Sequence, residues 1–268
     1  MVRDIAWIAE GQSNFQGAAM RYPGPRLTAN IDRARSLRTG ETDPFPGCNN
    51  SNQGGSCFPY VIDLARARGV RLHVFNYAIG GASVFNYTGL AGAVITSPTL
   101  PAANGYFSGG EMIGGTTVQT EGGADFDPFG LLARARAEVQ RCLGKYDAVI
   151  SSWSNGESDH GTSAATYALG LGSVADYMIA SGVNKHLIGL TCKIPSASTA
   201  NMQLLQQGVT TAIASRPKCA AGADLFAYFG DSAPLYPETG GGAYVHLTLR
   251  GQEHHAKLWD AALRAAGY

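Results

Sequence analysis

Ile5-Ala6-Trp7-Ile8-Ala9-Glu10-Gly11-Gln12-Ser13-Asn14 is an apolar run that breaks at a small-polar turn carrying one serine. A strand that is apolar at nearly every position, rather than at every second one, fits burial on both faces of a parallel sheet. In open α/β sheets ligands gather beyond the carboxyl ends of the strands, and Ser13 sits at such an end. The same residues also make an ordinary strand-to-loop turn, since Gly, Ser and Asn are the usual turn formers. The rest of the chain decides between the two.

Downstream, strand-like and helix-like segments alternate. A helix is expected over 58–68, with Pro59 in its first turn, Tyr60, Val61, Leu64 and Ala65 on one side, and Gly69 as its stop. Strands follow at 71–77, 147–153, 185–192 and 223–229, separated by helices at 129–143, 162–181 and 199–215 and closed by a helix at 249–266. The 129–143 helix is the clearest, with Leu131, Leu132, Ala135, Val139 and Leu143 at helical spacing behind Pro128. Such alternation implies a three-layer α/β/α sandwich around a flavodoxin-like five-stranded parallel sheet of order 2-1-3-4-5. Strand 1 is then central, the last helix packs beside it, and residues 1–268 form a single domain.

Lys and Arg (20) balance Asp and Glu (20), so nothing electrostatic recommends nucleic acid or an anionic membrane as partner. No apolar run approaches the ~20 residues of a membrane helix, and the N-terminus lacks the three sections of a signal peptide. Localisation stays open between an intracellular protein and one whose export signal has been removed. Five cysteines leave at least one unpaired; Cys48 with Cys57 could close a small disulfide, Cys192 with Cys219 is a weaker pair, and all five as thiols is equally consistent. No metal-ligand spacing occurs, and no metal or other cofactor is expected. Glycine is abundant, 35 residues, and clusters between Gly80 and Gly130, where residues 84–127 lack a clear period. A loop of that length, carrying Phe85, Tyr87, Tyr106 and Phe107, is expected to wall a substrate cleft.

A serine attacks an ester usefully only when a base removes its proton, donors stabilise the oxyanion and a further group orients the base. Ser13 follows strand 1, Gly81 follows strand 2, Asn155 follows strand 3 and His246 precedes the last helix, so all four fall at one edge of the sheet. Taken singly, Gly80-Gly81 is a turn, Asn155 and Glu157 a loop cap and a solvated charge, and His246 a structural histidine. His73, His254 and His255 read as packing or surface residues, and Trp153 as core.

As an ordered set these stretches resemble the SGNH hydrolase superfamily. Gly11-Gln12-Ser13-Asn14 is similar to the nucleophile block of its sialate O-acetylesterase and acetylxylan esterase branch, the carbohydrate esterases of family six, and departs from the G-D-S-L wording of other branches. Asn76-Tyr77-Ala78-Ile79-Gly80-Gly81-Ala82-Ser83 resembles the second block, whose glycine amide is an oxyanion donor; Gly81 matches it and Gly80 is the fallback. Trp153-Ser154-Asn155-Gly156-Glu157-Ser158-Asp159 resembles the W-x-Q-G-E-S motif, with Asn155 in place of the usual glutamine. His246-Leu247-Thr248-Leu249-Arg250-Gly251 resembles the last block, whose histidine is the general base.

One departure matters: the family's aspartate three residues before the histidine is Ala243 here. Glu157 is the candidate for the triad acid, with Asp159 and Asp231 ranked below it. The resemblance implies a serine esterase that removes O-acetyl groups from a carbohydrate through an acyl-enzyme on Ser13, without a cofactor. A lipase- or thioesterase-like member of the same superfamily and a carbohydrate-binding relative weakened in catalysis are the alternatives. The sugar, the acetylated position and the oligomeric state are left open.

Overall fold

The computed structural model describes residues 2–11, 35–36, 57–78, 83–84, 131–156, 159–191, 197–229, 247 and 249–268. In chain order the elements are β1 (Arg3–Gly11), β2 (Arg35–Ser36), α1 (Phe58–Ala67), β3 (Val70–Asn76), α2 (Leu131–Cys142), β4 (Ala148–Asn155), α3 (Ala164–Ala180), β5 (Lys185–Leu190), α4 (Thr199–Ala214), β6 (Cys219–Asp224), α5 (Leu225–Phe229) and α6 (Leu249–Ala265). The sheet runs β2-β3-β1-β4-β5-β6 with every pairing parallel. The five strands expected from sequence therefore stand in the expected order, with β1 central and the two-residue β2 added outside β3.

β1 is buried from Ile5 to Gly11, as its unbroken apolar run requires. Alternate residues feed two cores. Ala6 and Ile8 face α2, α3 and α4 with Val149, Trp153, Ile188 and Leu190. Ile5, Trp7 and Ala9 face α1 and α6, where Trp7 meets Phe58 edge-on at 5.1 Å between ring centroids and Trp259 at 5.3 Å. This second layer needs room on the sheet for an indole. A Cβ at Gly189 would lie 2.9 Å from Trp259 Cζ2, and one at Gly222 would lie 2.5 Å from its Cη2, so glycine at both positions clears the seat of α6.

Three expectations are corrected. The strand placed at 223–229 is β6 at Cys219–Asp224 followed by the short helix α5, because Asp224 Oδ1 accepts the Ala227 N–H at 2.8 Å and so caps a helical turn. β4 continues two residues beyond Trp153, through Ser154 and Asn155, which pair with Gly189 and Leu190. Neither proposed disulfide exists: Cys57 and Cys219 are buried free thiols, as is Cys142. Burial pushes the Cys57 thiol far up, Cys142 to about 12 and Cys219 to about 11, so all three are inert at neutral pH. Among the described residues no helix is long and apolar enough to cross a membrane.

His73, in β3, is only 2% exposed and its Nε2 lies 2.9 Å from Asp4 Oδ1, which makes it a packed strand residue. Two other histidines are fully buried. His186 Nδ1 is hydrogen-bonded to Ser151 Oγ at 2.7 Å, and His255 Nε2 accepts from Trp259 Nε1 at 2.8 Å. Burial lowers both to about 3 from 6.5; the Arg216 charge adds to the effect at His186, against an opposing contribution from Asp176. The unfolded chain therefore takes up these two protons near pH 6.5 while the folded chain refuses them until about pH 3. Stability should fall by about 3 kcal/mol between roughly pH 6.5 and pH 5, the slope for each histidine approaching ~1.4 kcal/mol per pH unit once the unfolded ring is fully protonated. Urea unfolding at stepped pH checks this, and a profile with no loss over that interval would contradict it.

Candidate active site

The carboxyl ends of the central strands are brought level by backbone registration. Ala9 pairs with Asn76 on one side and Ser152 on the other, and Gly11 pairs with Ser154. Tyr77 N donates to Ala9 O at 2.7 Å, Thr191 N donates to Asn155 O at 3.1 Å, and Trp7 Nε1 donates to Ser152 Oγ at 2.7 Å. The Tyr77 hydroxyl donates to the buried Glu138 Oε2 at 2.8 Å and so pins the start of the second motif to α2. At Gly11 there is no room for a side chain between β1 and β4. A Cβ there would lie 2.1 Å from Ser154 O, and its φ of +139° strains any other residue, so the first glycine of Gly11-Gln12-Ser13 is required by the sheet itself.

Asn155 ends β4 with no solvent exposure. Its Oδ1 accepts the N–H of Gly156, which fixes the carboxamide, and its NH2 is the donor side of the group. From Gly156 the chain turns at once into Asp159, whose N–H donates to Gly156 O at 3.3 Å and whose O accepts from Thr162 N at 2.9 Å. Ser163 then caps α3, its Oγ accepting Thr166 N at 3.2 Å. The fully buried Asp159 carboxylate reaches across to Val84 N–H, at 3.3 and 3.4 Å from its two oxygens.

The start of α6 lies at the same edge by the direction of that helix. At the far end of that helix Gly267 O accepts Arg3 Nη1 at 2.8 Å and Tyr268 O accepts Arg68 Nη1 at 2.6 Å. Arg3 begins β1, so α6 runs antiparallel to β1 and starts, at Leu249, on the carboxyl edge. Leu247 is 1% exposed, and His246 directly precedes it in sequence.

Of the residues singled out from sequence, Asn155, expected just beyond the strand, is the last residue of β4, and Asp159, four residues on, is buried. Ser13, Gly80, Gly81, Glu157, Asp231, Ala243, His246 and residues 85–127 lie outside the described residues. The Ser151–His186 pair is no substitute for them. Both side chains are fully buried inside the sheet, and a histidine held at about 3 is a poor base at neutral pH. Glu10, one residue before Gly11, and Ser83, next to Val84, are among the buried polar residues that the sequence reading did not single out. Glu10 is visible in sequence only as a charge inside an apolar run. With Asn155 as an oxyanion donor, Asn155→Ala should lower kcat by roughly 10²–10³ at near-constant KM. Steady-state kinetics on p-nitrophenyl acetate measure it; a change in KM alone would contradict the assignment.

No family model and no curated protein matches the sequence. Solved structures do match in three dimensions. A carbohydrate acetylesterase from Xanthomonas citri aligns with a TM-score of 0.55 and 14% identity over 98% of this chain and 56% of its own, so the chain spans little more than half of that protein. A protein from Arabidopsis thaliana aligns at 0.57 and 11% identity over 98% of both chains. A carbohydrate esterase family 2 enzyme with a carbohydrate-binding domain, from Corynascus thermopiles (Myceliophthora fergusii), aligns at 0.51 and 13% identity over 99% of this chain and 67% of its own. At such identities the likeness is one of fold, and the chain has the α/β/α sandwich of these three structures.

Proposed function

We propose that this chain is a single-domain serine esterase that removes O-acetyl groups from a carbohydrate, in the manner of the family-six branch its motifs resemble. The observation that carries the proposal is Asn155: a fully buried amide with a fixed carboxamide, at the end of the strand paired with β1, where an oxyanion donor is needed. Two of the fold neighbours being carbohydrate esterases supports the choice of substrate class.

In the proposed reaction Ser13 Oγ attacks the acetyl carbonyl carbon while His246 takes the hydroxyl proton. The carbonyl oxygen, now anionic, accepts hydrogen bonds from the Gly81 N–H and the Asn155 NH2. Collapse expels the sugar oxygen, which takes the proton back from His246. Water deprotonated by His246 then attacks the acetyl-Ser13 ester, releasing acetate and restoring the serine. Glu157 orients His246 and stabilises its cationic form.

Turnover of p-nitrophenyl acetate and octanoate, followed by a panel of acetylated glycans, tests the proposal. Preference for acetyl over octanoyl and release of acetate from a glycan are expected; faster octanoyl turnover would favour the lipase-like alternative. Ala243 motivates a second reading, a binding relative without catalysis. Glycan binding by calorimetry with no ester turnover would establish that reading instead.

A further inference from the structure

We infer that Asp159 is a positioning residue that ties the chain leaving β3 to the chain leaving β4 and so sets the separation of the two oxyanion donors. The inference rests on the esterase proposal. In the sheet β1 lies between β3 and β4, so a bond joining the chain beyond one of those strands to the chain beyond the other spans the width of β1, on the face where Val84 packs with Ala6 and Ile8. Such a bond exists. The Asp159 carboxylate shares the Val84 N–H between its two oxygens at 3.3 and 3.4 Å, and Asp159, Val84 and the adjoining Ser83 are all without solvent exposure.

Each end of the tie is close in sequence to a proposed donor. Val84 is three residues after Gly81, and Asp159 is four after Asn155. The Asp159 end is rigid, because its own N–H is bonded to Gly156 O, its carbonyl to Thr162 N, and Asn155 Oδ1 to Gly156 N. A buried carboxylate is a costly way to hold a loop unless its charge is matched by donors, and a charge-assisted bond to a backbone N–H is stronger than a neutral one. Oxyanion stabilisation depends on donors standing about 3 Å from the position the anion will occupy, so a tie that fixes two donors relative to each other acts on the transition state more than on bound substrate.

The test compares Asp159→Ala and Asp159→Asn with wild type on p-nitrophenyl acetate, each normalised to active sites titrated with an organophosphonate, and with Ser13→Ala normalised to protein concentration. Asp159→Ala should lower kcat per active site by roughly 10–100-fold with KM within about twofold, because the tie is gone and the donors lose register. Asp159→Asn should recover most of that loss, since its carbonyl oxygen still accepts the Val84 N–H. A fall of about 10⁴-fold in Asp159→Asn would instead make Asp159 the acid on the histidine and overturn the inference. So would an unchanged kcat per titrated site in Asp159→Ala. If wild type turns over and Ser13→Ala does not, failure at Asp159 leaves the esterase proposal standing; if wild type shows no ester turnover, both fall.

Discussion

Ser13→Ala should abolish turnover of p-nitrophenyl acetate, with a loss of roughly 10⁶-fold in kcat, the scale seen when the serine of a protease triad is removed. Among the described residues nothing substitutes for the nucleophile. The described Ser151–His186 pair is sealed within the sheet, and the thiols of Cys57, Cys142 and Cys219 are buried and held protonated. The fold should be unaffected. The glycine that β1 needs in order to lie against Ser154 is Gly11, and among the described residues the pairing of β1 ends there. Circular dichroism and a urea midpoint within about 0.5 kcal/mol of wild type would verify the fold. Retention of more than about a few per cent of wild-type kcat would remove Ser13 from the mechanism, because a hydroxyl deletion at a true nucleophile leaves only binding and oxyanion stabilisation.

Glu157→Gln is expected to have the next largest effect, a fall in kcat of up to roughly 10⁴-fold, as for the acid-to-amide change in a serine protease triad. A neutral imidazole must present the correct nitrogen to the serine and then carry a positive charge, and a neighbouring carboxylate secures both. Ala243, where the family has its aspartate, can do neither. The two other carboxylates weighed for the task are Asp159 and Asp231, and Asp159 is engaged with Val84 N–H. Glu157 is two residues from Asn155, on the loop leaving the same strand, and has the longer side chain. Adding Ala243→Asp to Glu157→Gln should restore part of the rate. Near-normal kcat in Glu157→Gln would mean a Ser13–His246 dyad, with Glu157 serving the loop.

The sheet was legible because its information is local. A strand buried on both faces must be apolar throughout, helices between strands show their period, and parallel strands leave few permissible orders. β6 was misplaced for a physical reason. Cys219-Ala-Ala-Gly-Ala-Asp224 has no β-branched or aromatic residue, whereas Leu225-Phe-Ala-Tyr-Phe229 reads as strand and forms helix. The small residues are there because Trp259, from a helix about forty residues on, occupies the space above Gly222, a demand set by tertiary packing. The disulfide expectation failed in the same way: the spacing of Cys48 and Cys57 is permissive, but Cys57 packs in the core beneath α1. At the site, the position of Asn155 near the end of β4 was legible from the apolar run that precedes it. The bond between Asp159 and Val84 was not, because it joins residues seventy-five apart and depends on which strands flank β1.

The central claim is that an ester's acyl group passes through Ser13, and trapping that residue tests it most directly. The protein is incubated with a p-nitrophenyl alkylphosphonate, released p-nitrophenol is counted, and the modified peptide is mapped by mass spectrometry. One p-nitrophenol per chain, a phosphonyl adduct on Ser13 and parallel loss of acetate ester turnover are predicted. Full turnover after labelling, or an adduct on another residue with Ser13 unmodified, would contradict the assignment.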